Sequence, residues 1–465
     1  MLPDSGEELC YGPTARQPSG STCPPPQQTW RSVHTPAKLA VILAMMITVA
    51  GCTSVTQSPD RQINTGIRTG VPDPSVSSAP ISNHPGPAPA AAPTTATSLI
   101  ARASPQPPRT PWTSKPPRSS TLPGMPKVTD PRNIYAAASA GMLTALSRTY
   151  PAYAYVPHNR SGDVWVLNQR TGAVVNKCHV GIEIQHVVPS YDMTQLYATD
   201  DLGDVIRVID PRTGQCGRTI KIKDPYNMYF TPDGKYAISV AENYRQLVFY
   251  DPHTWKIHDT TTITACAGID HADFSADGKT MVFTCEFAGR VAVVDVATHR
   301  LLRVIDMPTR NTTMGPQDIK LSPDGQTYYI ADSQSGGLWV LPAGATAVTR
   351  HIATGRGAHG LYLSRDARNL YVTNRLEGSV SVLDADTGKV LTKWRIPGGG
   401  SPDMGNVSVD GSQLWLSGRY DNVVYVLATT DGHLIKKVPV GQGPHGLALM
   451  PLPGRYSLGH TGITR

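Results

Sequence analysis

The sequence predicts an all-β protein, a seven-bladed β-propeller closed by its C-terminal strand, behind a signal peptide, a disordered stalk and one short helix. Three observations predict it. A unit of four short strands recurs seven times between residues 151 and 451, and the end of its third strand steps by roughly 41 to 47 residues, the length of a propeller blade. The first copy, from Tyr153, lacks its opening strand, while a spare strand, HGLALM (445–450), follows the last copy. Of the 41 prolines of this 465-residue chain, 24 lie before residue 151, ahead of the repeats.

The N-terminal third divides into three parts. Leu39 to Ala50 reads LAVILAMMITVA, too short to span a bilayer but suited to a signal-peptide core. Its end, Val49-Ala50-Gly51-Cys52, places small residues before a cysteine, as in a bacterial lipobox, where Cys52 takes a diacylglycerol and the chain is cut before it. Residues 1–51 are read as a lipoprotein signal peptide; a short buried helix with a chance cysteine is the plain alternative. The long, weakly charged lead is explained if translation starts at Val33 from a GTG codon, with Lys38 as the leader's charge. Residues 52–128 are rich in Pro, Ser, Thr and Ala and cannot bury enough surface to offset the entropy of ordering, so they read as a tether. Residues 129–150 carry Thr129-Asp130-Pro131 before an Ala/Leu-rich run, which predicts one short helix over 131–147.

Charge is uneven along the chain. The net charge is +7, and the stretch Thr53 to Arg132 supplies +5 of it, with eight Lys/Arg against three Asp. A nucleic-acid binder carries its positive charge on the folded domain. Here it lies on the linker, which excludes nucleic acid as a partner and suits anionic lipid or wall polymer. The chain is expected at the cell membrane, lipid-anchored on the extracytoplasmic side, as a monomer.

Residues 360–396 show the repeat most clearly. GLYLS, LYVTN, SVSVLD and VLTKWRI read as strands A to D, with alternating apolar residues in B and C. Thr-Pro-Asp-Gly-Lys (231–235), Ser-Ala-Asp-Gly-Lys (275–279) and Ser-Pro-Asp-Gly-Gln (322–326) mark three A–B turns. The spare strand completes blade one and removes the exposed edge of an open array. LYVTN at 370–374 and its neighbours resemble the YVTN-repeat β-propellers, whose relatives include d1-haem propellers and seven-bladed lactonases. The resemblance covers about 300 residues and implies the fold; a propeller hosts many unrelated sites.

Aligning the blades lists what meets at one mouth of the central channel. Strand B ends at His158, Asp200, Ala241, Cys285, Asp332, Asn374 and Gly418, and the next residues include Asp201, Glu242, Glu286, Arg375 and Arg419. Strand A starts with His186, Asn227, His271, Asp318, Gly360, Met404 and Gly446, with His359, Asp403 and His445 one residue earlier. The candidate ligand-binding residues are therefore His158, His186, Asp200, Glu242, His271, Glu286, Asp318, Asp332, His359, Arg375, Asp403, Arg419 and His445. Blades two to five bring acids and blades six and seven bring arginines, which makes a polar site with an acidic and a basic side; a solvated funnel is the alternative. Cys266, His271 and Cys285 would suit zinc or copper. An oxidising compartment favours a disulfide between Cys266 and Cys285 over the metal, and unpaired thiols are the third alternative. Cys178 and Cys216 fall at different heights on adjacent outer strands and are expected to stay unpaired.

Several motifs lead nowhere. Gly355-x-Gly357-x-x-Gly360 and Gly441-x-Gly443-x-x-Gly446 run from strand into strand with no helix behind them. Motifs for covalent haem, a zinc protease or a serine-hydrolase elbow are lacking. Two classes of function remain. One is a binding scaffold holding a small ligand or an envelope protein at its mouth. The other is an enzyme or cofactor-handling protein, lactonase-like or metal- or d1-haem-related, using His271 or His186 as base and Arg375 or Arg419 for an oxyanion. The tail, residues 452–465, has no assignment beyond an ordered flap carrying Tyr456 and His460.

Overall fold

The computed structural model describes residue 130, residues 132–310 and residues 312–465. The signal peptide, Cys52, the Val33 start and the stalk lie outside the described residues. Seven four-stranded antiparallel sheets follow one another along the chain. Blade two shows the pattern, with strands Ile184–Pro189, Leu196–Asp200, Val205–Asp210 and Gln215–Lys221 from the inside outward. Blade one is completed by Ala448–Met450, which pairs antiparallel with Tyr153–His158, so the last strand closes the ring.

Local chemistry makes each blade. In the A–B turn of blade three, Thr231 Oγ1 donates to Asp233 Oδ1 (2.7 Å), and that oxygen also accepts from the Lys235 N–H (3.1 Å). Gly234 takes φ +71°, where a side chain would be strained. Blade six has Ala367 in the same place, at φ +55°. Between blades the core is apolar: Ile238, Leu247 and Phe249 of blade three pack with Phe274, Met281 and Phe283 of blade four.

The predicted helix over 131–147 is not formed. The segment has two short 3₁₀ turns, Ala136–Ala138 and Ser147–Thr149. Its tertiary contacts decide this. The Ile134 N–H donates to the Pro323 carbonyl, and the Tyr135 hydroxyl donates to the Leu321 carbonyl (2.8 Å). A straight helix could not follow the blade ends in this way, and contact overrides Ala/Leu propensity. Cys178 and Cys216, expected unpaired, form a disulfide with Cα atoms 6.2 Å apart. Blade twist tilts the outer strands, so the end of one meets the start of the next. Asn176 Nδ2 donates to the Gly214 carbonyl (2.8 Å) beside the bridge.

The tail ends inside the channel. The Phe230 N–H donates to the Leu458 carbonyl and the His460 N–H to the Met228 carbonyl, so the tail runs against the ends of the inner strands. Arg465, 4% exposed, donates to Asp273 Oδ1 (2.9 Å) and stands 4.2 Å over the Tyr135 ring. Residues 452–465 thereby plug the end of the channel opposite the mouth.

Candidate functional site

Six of the seven inner strands bulge near their start. The pairing of strands A and B slips between Ile184 and Val187, Pro225 and Asn227, Ile269 and Ala272, Pro316 and Ile319, Ala358 and Leu361, and Pro402 and Gly405. A bulge re-aims a side chain, and here it frees backbone N–H groups that the threonine of strand B accepts. The His186 N–H donates to Thr199 Oγ1 (3.0 Å), the His271 N–H to Thr284 Oγ1 (3.0 Å) and the Gly360 N–H to Thr373 Oγ1 (2.7 Å). The threonine of the Tyr-Val-Thr-Asn repeat is thus the clasp of the bulge, and the bulge carries the site.

The residue that ends strand B, which follows that threonine in blades two, four and six, has a different task. Asp200 accepts from the Ile182 and Glu183 N–H groups (3.0 Å each), and Asp332 accepts from Thr309 Oγ1 (2.9 Å) and the Ser335 N–H (2.8 Å). The Gly441 N–H reaches His158 Nε2 (3.1 Å). In blade four the same tie is covalent, because Cys266 of the incoming loop and Cys285 form a disulfide. His158, Asp200 and Asp332 therefore pin loops. Zinc or copper on Cys266, His271 and Cys285 is corrected on the same ground, since neither sulfur is a free thiolate.

The other ten candidates meet in and above the channel. The His186 ring lies 5.3 Å from His271, 4.8 Å from His445 and 5.3 Å from His460, between ring centroids. His186, His271 and His460 each offer a ligand atom within 4.8 Å of the others, and all three are buried. Asp270 Oδ1 lies 2.5 Å from His271 Nδ1. His460 Nε2 lies 3.7 Å from Asp318, whose oxygens also accept from the Ile319 and Leu361 N–H groups (2.8 Å each). Burial pushes His460 down to about 4 and, with the charges of His271, His460 and Arg419, holds His186 well below its usual value. Burial would raise Asp318, but His460, Lys320 and His271 hold it at about 2. Burial would also lower His271, yet the Asp270, Asp318 and Glu286 charges raise it.

A second cluster is basic. Asp403 Oδ1 lies 3.1 Å from Arg375 Nη1 and 3.2 Å from His359 Nδ1; its Oδ2 lies 3.6 Å from His445 Nε2 and 3.8 Å from Arg419 Nη1. His445 Nδ1 is 3.0 Å from Gln185 Oε1. Across the mouth, burial and mutual repulsion push up the carboxyls of Glu242, Asp270 and Glu286, the last to about 7.

Two residues were missed by sequence reasoning. Asp270 stands in the alignment column of His359, Asp403 and His445, so that column read through every blade would have found it. His460 lies in a tail without repeat, and no sequence signal places it.

Together these features define a seven-bladed β-propeller with a plugged, histidine-lined channel. Residues 345–453 match the model of a family described as YNCE-like beta-propeller, in the blades whose repeats resemble the YVTN type. A comparison with curated protein sequences finds no match. Solved structures share the fold. A functionally unknown protein from Desulfotomaculum acetoxidans DSM 771 is 15% identical with a TM-score of 0.55, covering 64% of this chain and 98% of its own. A putative 6-phosphogluconolactonase from Bacteroides uniformis ATCC 8492 is 18% identical with a TM-score of 0.52, covering 64% and 99%. The dihydro-heme d1 dehydrogenase NirN, in complex with DHE, is 13% identical with a TM-score of 0.50, covering 67% and 80%. At these identities the likeness is one of fold.

Proposed function

We propose that this chain is a lipid-anchored, extracytoplasmic binding protein that holds a small polar ligand at the mouth of its channel. One observation carries the reading: the mouth sets Arg375 and Arg419 against the raised carboxyls of Glu242, Asp270 and Glu286, and Arg375 Nε is buried with no hydrogen-bond partner. A buried donor left unmet is costly, and an anionic ligand group would satisfy it. The acidic wall suits a donor or cationic group on the same ligand. The stalk and the lipid at Cys52 would give the domain reach from the membrane.

The test is calorimetric titration of the full chain with a panel of small carboxylates, amino acids and phosphate. Binding that weakens roughly tenfold or more in Arg375→Ala supports the reading. Binding by none of them, or binding indifferent to Arg375, removes it. A second reading, hydrolysis, rests on the Asp270–His271 contact, in which a carboxylate orients an imidazole as general base. Turnover of a lactone panel that falls with His271→Ala would favour it.

A further inference from the structure

We propose that His186, His271 and His460 form a binding site for one divalent transition metal of the zinc or copper class, with the C-terminal tail supplying the third ligand. This rests on reading the channel as a binding site, although it concerns the deep histidines rather than the arginines of the mouth.

Donor chemistry comes first. Both ring nitrogens of His186 and Nε2 of His271 are buried without a hydrogen-bond partner, and Nε2 of His460 has Asp318 3.7 Å away. Three buried imidazoles with unmet nitrogens are a cost unless something satisfies them. Imidazole nitrogen is a donor that suits zinc and copper. The ligand atoms lie within 4.8 Å of one another, and tetrahedral zinc with bonds of 2.0–2.1 Å needs them about 3.3 Å apart, so modest ring rotations close the site.

Surrounding charge comes second. Asp270 at His271 Nδ1 repeats the carboxylate–histidine arrangement that orients metal ligands. Asp318, whose two oxygens accept from the Ile319 and Leu361 N–H groups, lies next to His460. Asn227 Nδ2 lies 3.0 Å from His460 Nδ1 and orients the ring. The neighbouring group of His359, Asp403 and His445 has similar spacing but is ringed by Arg375 and Arg419, whose charges repel a cation.

Tail docking and metal binding are then linked. An ion that needs His460 binds the docked tail and not the released one, so it stabilises the plug by mass action. Three protein ligands also leave a coordination position for water or a further ligand.

The experiment uses the full chain stripped with a chelator and titrated with Zn²⁺ alone. We expect about one zinc per chain, with affinity falling roughly tenfold or more in His186→Ala, His271→Ala and His460→Ala. His433→Ala, on the exposed rim, should bind as the parent does. Co²⁺ should give a visible spectrum without a thiolate charge-transfer band, which separates this site from the cysteines. Zinc should also slow amide exchange across residues 456–465 of the unmodified chain, a readout that no misfolded variant can mimic. Absence of stoichiometric zinc, affinity unchanged in His460→Ala, or tail exchange unmoved by zinc would overturn the proposal. Failure of zinc binding leaves carboxylate binding at Arg375 untouched, and failure of the latter leaves the zinc result standing.

Discussion

The ring of His460, on the tail, lies 4.7 Å from the ring of His271, on the inner strand of blade four, at an interplanar angle of 70°. Two parts of the chain with no repeat in common thus build one site. The contact depends on a lock at the end of the tail, where Asp273 accepts from Arg465 (2.9 Å), the Phe274 N–H (2.8 Å) and the Leu321 N–H (2.9 Å), with the Tyr135 hydroxyl 3.2 Å away. Arg465→Ala leaves Asp273 two backbone donors and should cost about 1–3 kcal/mol. Asp273→Ala strands a buried guanidinium and should cost more, about 3–5 kcal/mol. Chemical denaturation of the two variants checks the order; Arg465→Ala as the costlier change would refute it.

What could be read from the sequence follows from what repeats. The blade period, the closing strand and the mouth positions all recur every 41 to 47 residues, so aligning the copies was enough to find His186, His271, Asp318 and Arg375. Alignment could not separate a column facing the channel from one that ties loops, and His158, Asp200 and Asp332 entered the candidate list for that reason. The bulge decides which residue turns inward, and it arises from pairing across strands. The tail has one copy only, and its place follows from the Asp273 lock and from Tyr191, which stacks on Tyr456 at 5.3 Å.

Two disulfides should stabilise by different amounts. Cys266–Cys285 closes a separation of 19 residues and Cys178–Cys216 one of 38. Chain entropy assigns about 3 and about 4 kcal/mol to loops of these lengths. Comparing the oxidised protein with forms in which one bridge is reduced, unfolded in denaturant, should therefore rank Cys178–Cys216 as the more costly to lose, although that bridge lies on the outer strands. Removing the inner bridge should leave zinc affinity within about threefold, because no thiolate is a ligand; a larger loss would return the cysteines to the metal site.

Thr284 should matter for reasons of hydrogen bonding alone. It is fully buried and accepts the His271 N–H at 3.0 Å. Thr284→Val keeps the shape and removes the acceptor, so an orphaned buried N–H should cost about 1–3 kcal/mol. Thr284→Ser keeps the hydroxyl and should recover most of the loss. Equal stabilities of the Val and Ser variants, measured by denaturant unfolding, would mean that the bulge holds without its clasp.

Glu286 should make stability depend on pH in an unusual direction. Burial, and then the Asp270 charge, raise its carboxyl from 4.5 to about 7, against the opposing pull of Gln317 and Arg375. Between these two values the unfolded chain has released the proton and the folded chain still holds it. Stability from this group is therefore full below about pH 4.5, falls as pH rises, and is lost above about pH 7. Glu286→Gln cannot ionise and should match the parent near pH 4. By pH 8 it should be more stable by roughly 1–3 kcal/mol. Unfolding is best measured in chelator, because a bound cation would favour the carboxylate and hide the effect. Were the two proteins to differ equally at both pH values, the Glu286 carboxyl would be ionised in the fold throughout, and the acidic wall of the mouth would be a set of solvated charges rather than a strained one.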